Sequence, residues 1–181
     1  MAGAAAVCAE CGFDWDGLDS AALPAAIRAL PGRFAKPLTR FLPGEDGAEL
    51  LRARPEAAVW SALEYAAHTR DAVELYDQRI ARVLTEDRPR LAPFDPDAAC
   101  EERRYSEEVP GEVLAGFERV AAAAADRLEA LDPRGWERVG VGSSGEDRTV
   151  LVLARRMVHE GHHHLLDIGR VLRRVREQPR P

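Results

Sequence analysis

The stretch TVLVLARRMVHEGHHHLLDIGRVLRRV, Thr149–Val175, decides how the chain is read. Val150, Leu153, Met157, Ile168, Val171, Leu172 and Val175 fall, at about 100° per residue, on one apolar stripe of an α-helix. Thr149 stands where an N-cap is needed, so the spacing predicts a helix from Val150 to about Val175. A long helix with one apolar face must bury that face against other helices. It also carries four of the chain's five histidines, in His159-Glu160-Gly161-His162-His163-His164.

Two i, i+4 pairs are available for a metal ion, His159/His163 and Glu160/His164. At about 100° per residue, Glu160 and His164 fall at the edge of the apolar stripe, beside Leu153 and Val171. His159 and His163 fall on the other side, among Arg155, Arg156, Arg170 and Arg174, which reads as a solvent face unsuited to a cation. Glu160 and His164 are the preferred ligands, with His159/His163 as the alternative pair.

Working outward, the next clear helix is predicted from about Glu56 to Leu84, with Ala58, Ala62, Tyr65, Ala72, Tyr76, Ile80 and Val83 on one stripe. The fifth histidine, His68, lies within the sector of Tyr65, Ala72 and Leu75, towards the core. A lone inward histidine is more often a satisfied core residue. Beside a buried-edge Glu-x-x-x-His, one shared metal would satisfy all three polar groups. The candidate ligand set is therefore His68, Glu160 and His164. Two imidazoles and a carboxylate suit zinc, nickel, iron or manganese without choosing among them, and leave positions for water or substrate. Tyr65, Asp71 and Asp167 are candidates for orienting the ligands or moving protons.

A first helix is expected from about Ala21 towards Leu42, kinked or divided by Pro31-Gly32 and Pro37, and a third from Pro110 to about Leu131. Thr85 to Asp97, with three prolines, reads as a loop; Ala98 to Glu108 is ambiguous; Trp136 to Arg148 is a glycine- and serine-rich connection with a turn near Ser143-Ser144-Gly145. The expectation is an all-α four-helix bundle with long connections over residues 21–181, preceded by a separate segment, residues 1–20.

Composition agrees. Alanine runs such as Ala121 to Ala125 favour helix, and 46% hydrophobic residues supply a core for 181 residues. A net charge of -6 with interleaved acids argues against a nucleic-acid surface. The five arginines of Arg170 to Arg180 suit a helix C-terminus. No window is apolar enough for a membrane span, no signal-peptide pattern is visible, and three cysteines do not make a disulfide framework; a cytoplasmic location is expected.

Cys8-x-x-Cys11 in the leading segment reads as a metal knuckle, a redox pair, or neither. Only Cys100 and the surplus histidines could complete a four-ligand zinc set. Both cysteines precede the first helix cap and belong to no apolar stripe, so the segment is expected to be dispensable to the bundle.

Two segments resemble the DinB-like family of four-helix metalloproteins, which includes mycothiol-dependent maleylpyruvate isomerases and bacillithiol transferases. They are Trp60-Ser-Ala-Leu63-Glu64-Tyr65-Ala-Ala-His68-Thr-Arg-Asp71 and His159-Glu160-Gly-His-His-His164-Leu-Leu-Asp167-Ile168. The resemblance runs from about Glu56 to Val175. It implies one metal ligand from the second helix, His68, and a pair from the last, Glu160 and His164, with Asp167 trailing. It further implies a thiol S-transferase or isomerase that joins a low-molecular-weight thiol to a small electrophile, the metal turning the thiol into a thiolate. The alanine- and arginine-rich style suggests mycothiol as cosubstrate, and a homodimer is the candidate assembly. The rivals are a non-catalytic metal- or small-molecule-binding stress or accessory protein, and a metal-dependent hydrolase. No Ser-His-Asp constellation or phosphate-cradling loop supports another enzyme class.

Overall fold

A computed structural model describes residues 7–178; the start of the 1–20 segment and Arg180 lie outside the described residues. The helices are α1 (Leu23–Arg28), α2 (Leu30–Thr39), α3 (Gly47–Arg52), α4 (Ala62–Thr85), α5 (Pro96–Glu102), α6 (Pro110–Glu129), α7 (Pro133–Glu137) and α8 (Val150–Glu177). A two-stranded antiparallel hairpin, β1 (Val139–Val141) and β2 (Asp147–Thr149), precedes α8. The α1–α2 pair, α6, α4 and α8 form the four sides of a bundle, and the α4–α8 pairing is the most extensive. This is a mostly helical four-helix bundle, as expected.

The first side of the bundle is divided at Ala29, two residues before Pro31, while Pro37 is carried inside α2. α4 begins at Ala62, not near Glu56, because Ser61 and Glu64 close a reciprocal capping box there. Ala58 is consequently outside the helix and exposed, and does not join the stripe. The rest of that stripe faces inward, with Ala62, Ala72, Ile80 and Val83 buried and Tyr65 and Tyr76 half-buried. α8 runs two residues past Val175, with the Thr149 hydroxyl accepting from the Val152 amide at 3.2 Å.

Gly161 lies inside the histidine motif because the α1–α2 corner closes on it. A Cβ there would stand 2.5 Å from Leu30 Cδ2, and Leu30 is fully buried. The long α4–α6 connection is tied down by Asp71. Its carboxylate accepts from Arg70, from Arg103 and, at 2.7 Å, from the buried Tyr105 hydroxyl, while Arg70 also forks onto Glu108. Asp71 is thus a structural anchor for this strap. In the same connection, Leu91 N donates to Val141 O and Val141 N to Pro89 O. That pairing holds residues 89–94 beside the hairpin, and both overhang α4 and α8.

Glu64 ties the start of α4 to the α3–α4 connection. It accepts from the Ser61 amide at 2.7 Å and takes a fork from Arg54 at 2.8 and 2.6 Å, although it is almost wholly buried. Burial acts to raise its pKa, but the Arg54 and Ser61 hydrogen bonds prevail and hold it below the ordinary value of 4.5. Its contribution is therefore present above about pH 4.5 and lost as pH falls through the lowered native value. Glu64→Gln should cost about 2 kcal/mol, since the cap survives but the charged fork does not. Urea titrations at pH 7 and pH 3 measure this, and the gap between wild type and variant should narrow at the lower pH.

Candidate metal centre

His68 projects from the second turn of α4, and Glu160 and His164 from successive turns of α8, so the principal helix pairing itself brings the three together. One donor atom from each lies within 4.8 Å of the others. Glu160 Oε2 is 3.3 Å from His164 Nε2 and 3.7 Å from His68 Nε2, and the two imidazoles meet edge-on with centroids 4.9 Å apart. Tetrahedral nitrogen and oxygen donors around a zinc-sized ion are separated by about 3.3 Å, so this spacing fits an ion with little adjustment. His68 is 5% exposed, and its Nδ1 is buried without a hydrogen-bond partner. The nitrogen turned towards Glu160 is Nε2, so Nε2 is the donor that an ion on this floor would take.

The surroundings fix the orientation of each ring. Asp167 Oδ2 lies 3.1 Å from His164 Nδ1, which suits an Nδ1–H donated to the carboxylate with Nε2 left towards Glu160. Tyr65 lays its ring against His164, and Trp60 and Phe94 flank His68. Burial alone would lower the His164 pKa. Asp167 and Glu160 override it and lift the value to about 9. Burial likewise acts to raise Glu160, but His164 and His68 hold that carboxylate far below its ordinary range.

The trio forms the floor of an open cavity of about 440 Å³. Aromatic walls come from Trp60, Tyr76 and Phe94, and the overhanging hairpin contributes Glu146 and Arg148. Arg79, Arg148 and Arg156 face this cavity, a feature absent from the sequence-level site. The signal was present: Arg79 lies 11 residues beyond His68, three helical turns along the same face, and Arg156 lies four residues before Glu160. Burial, together with the charges of Arg156 and Arg148, holds the Arg79 pKa below its ordinary value despite Tyr76. Arg148 is matched by Glu146 at 2.6 Å, whereas the buried Nε of Arg156 has no hydrogen-bond partner.

His159 and His163 do not face solvent, which corrects the helical-wheel reading. Residues 7–18 cover that side of α8. Trp15 and Phe13 pack on the His159 ring at centroid distances of 4.4 and 5.5 Å, and Phe13 is buried in the core. The neighbouring arginines serve this segment: Arg155 donates to Leu18 O and pairs with Asp16, and Arg170 reaches Glu10 O. No helix among the described residues is long and apolar enough to cross a membrane.

The sequence profile of the DinB superfamily matches residues 23–168. Among solved structures the chain is similar to YfiT from Bacillus subtilis, described as a probable metal-dependent hydrolase with an unusual four-helix bundle topology. The identity is 17%, the match covers 90% of this chain and 93% of that one, and the TM-score is 0.78. No functionally curated protein matches the chain.

The raised His164 pKa makes the metal-free protein pH-sensitive. The stabilisation from its contacts with Asp167 and Glu160 is complete below the unfolded value near 6.5 and is lost as pH rises through about 9. The melting temperature of chelator-treated protein should therefore fall between pH 7 and pH 9. Asp167→Asn should flatten that fall.

Proposed function

The chain belongs to the DinB superfamily, and from that premise we propose that it is a metal-dependent enzyme acting on a small anionic electrophile, with His68, Glu160 and His164 as ligands of a divalent ion. The observation that carries this reading is the open three-donor floor beneath a cavity with clustered arginines. Three protein ligands leave positions for a reacting group, whereas a structural site is closed. A divalent ion bound there would lower the pKa of a sulfur or water nucleophile and polarise the electrophile.

The chain's own groups divide the remaining work. Asp167 sets the His164 tautomer, and Trp60 and Phe94 exclude water from the His68 side. Arg79 and Arg156 supply positive charge on the wall above Glu160, where repulsion between like charges is relieved by an anionic substituent. The nucleophile we favour is a low-molecular-weight thiol of the mycothiol kind, on the strength of the resemblance carried by the His68 and His164 segments; the reaction is then S-transfer or isomerisation through a thiol adduct. Hydrolysis is the second reading, favoured by the description of the similar YfiT fold.

Metal analysis and spectroscopy test both parts. His68→Ala and His164→Ala should each remove about one equivalent of metal, and retention of full metal content in both would refute the ligand set. In cobalt-substituted protein, mycothiol should add a sulfur-to-metal charge-transfer band that is missing from His164→Ala. An unchanged spectrum at saturating thiol, with ester or amide substrates still cleaved, would select the hydrolase. Arg156→Met should raise KM for an anionic electrophile about tenfold with a smaller change in kcat, because it removes a binding contact remote from the reacting atoms.

A further inference from the structure

The second histidine pair of α8 and the Cys8-x-x-Cys11 motif, neither used by the pocket, meet behind it. Cys8, Cys11, His159 and His163 place one donor atom each within 4.8 Å of all the others. The helix geometry keeps this group apart from the first. Residues 159/163 and 160/164 are rotated by about 100° about the α8 axis, so the two pairs open on different flanks of the helix, and His163 and His164 meet only at Asp167 between them.

The cysteines are presented by a tight turn. Gly12 N donates to Cys8 O and Cys8 N to Phe13 O, both at 2.8 Å, and Gly12 takes φ of +72°. That turn points the two thiols at α8, and both remain free, with no disulfide. Cys8 Sγ lies 3.9 Å from His163 Nδ1. His163 Nε2 is directed elsewhere, 3.3 Å from Glu10 and 3.6 Å from Asp167, so a proton on Nε2 would leave the Nδ1 lone pair facing the thiols. Both ring nitrogens of His159 are sealed from solvent without a hydrogen bond of normal geometry, beneath Trp15 and Phe13. A buried imidazole with two unsatisfied nitrogens, facing a thiol pair, lacks a partner that hydrogen bonding does not supply.

We propose that Cys8, Cys11, His159 and His163 form a second, closed metal site of the tetrahedral zinc type, clamping the N-terminal segment onto the back of α8. Two thiolates and two imidazoles select zinc over magnesium or calcium, and four protein ligands leave no position for substrate. Tetrahedral sulfur and nitrogen donors around zinc stand about 3.3–3.8 Å apart, so the observed group needs only a modest contraction. Further contacts fasten the same turn: His162 Nε2 lies 3.2 Å from Cys11 O, and Arg170 reaches Glu10 O. Asp167 stands between the centres, with Oδ2 facing His163 on one side and His164 on the other. The clamp therefore braces the helical turn whose other side carries Glu160 and His164.

The test uses the full chain purified under reducing conditions. Wild type should hold about two equivalents of divalent metal, one of them zinc, and the near-isosteric Cys8→Ser and Cys11→Ser variants should lose that zinc and keep about one equivalent. Cobalt-substituted wild type should show thiolate-to-cobalt charge transfer with no thiol added, and Cys8→Ser should not. Iodoacetamide should label Cys8 and Cys11 only after a chelator is added. If the serine variants do not fold, the cobalt spectrum and alkylation of wild type still decide. Loss of metal in Cys8→Ser but not in His68→Ala would support the clamp while removing the pocket ion. Cysteines labelled at once in zinc-replete protein, a Cys8–Cys11 disulfide in place of metal, or no charge transfer in cobalt protein would each overturn it.

Discussion

The α4–α8 seam must bury polar groups in an otherwise apolar interface, and most of the architecture around it answers that constraint. His68, Glu160 and His164 meet where two long helices pack most extensively, and an unpaired imidazole or carboxylate there would carry a desolvation cost of several kcal/mol. Their mutual attraction is visible in the opposite displacements of the Glu160 and His164 pKa values. Asp167 extends the same network by one helical turn.

Packing holds this network in place more than intrinsic helix preference does. A glycine in mid-helix costs about 1 kcal/mol relative to alanine, yet Gly161 occupies the centre of the histidine motif. An alanine methyl there would overlap the fully buried Leu30, and overpacking a core costs about 1–3 kcal/mol. Close approach of the α1–α2 corner thus outweighs local propensity, and the histidine pairs stand on the two flanks of α8 beside it. The Asp71 network acts similarly on the opposite side, tying the strap whose Phe94 forms one wall of the cavity.

The bundle and its hairpin divide the labour in the proposed enzyme. Rigid helices hold the donors and carry Arg79 and Arg156, while connections bring further groups to the cavity: Phe94 from the α4–α5 loop and Glu146 and Arg148 from the hairpin. Only Arg79 and Arg156 among the cavity's arginines are helical, and they sit on the same faces as His68 and Glu160. A cavity with a fixed floor and walls built partly from loops allows substrate preference to change without disturbing the donors.

By itself the sequence determined the bundle, because period-3.6 apolar stripes and cap residues such as Thr149 are local signals. The α4 boundary was equally local, encoded in Ser61 and Glu64, and differed from the expected start only because the stripe was extended backwards to Ala58. The juxtaposition of His68 with Glu160 and His164 was legible because each lay on the core side of its own helix. What covers the opposite side of α8 was not. A helical wheel distinguishes a buried face from a polar one, but it cannot tell a solvated polar face from one packed under a distant segment. Cys8 and His163 are 155 residues apart, and no periodicity links a short turn to a helix at the far end of the chain. Only the tertiary structure could turn an arginine-rich, apparently solvent-facing flank into the seat of the Cys8–Cys11 turn, because that outcome depends on long-range packing of Phe13 and Trp15 and not on local sequence.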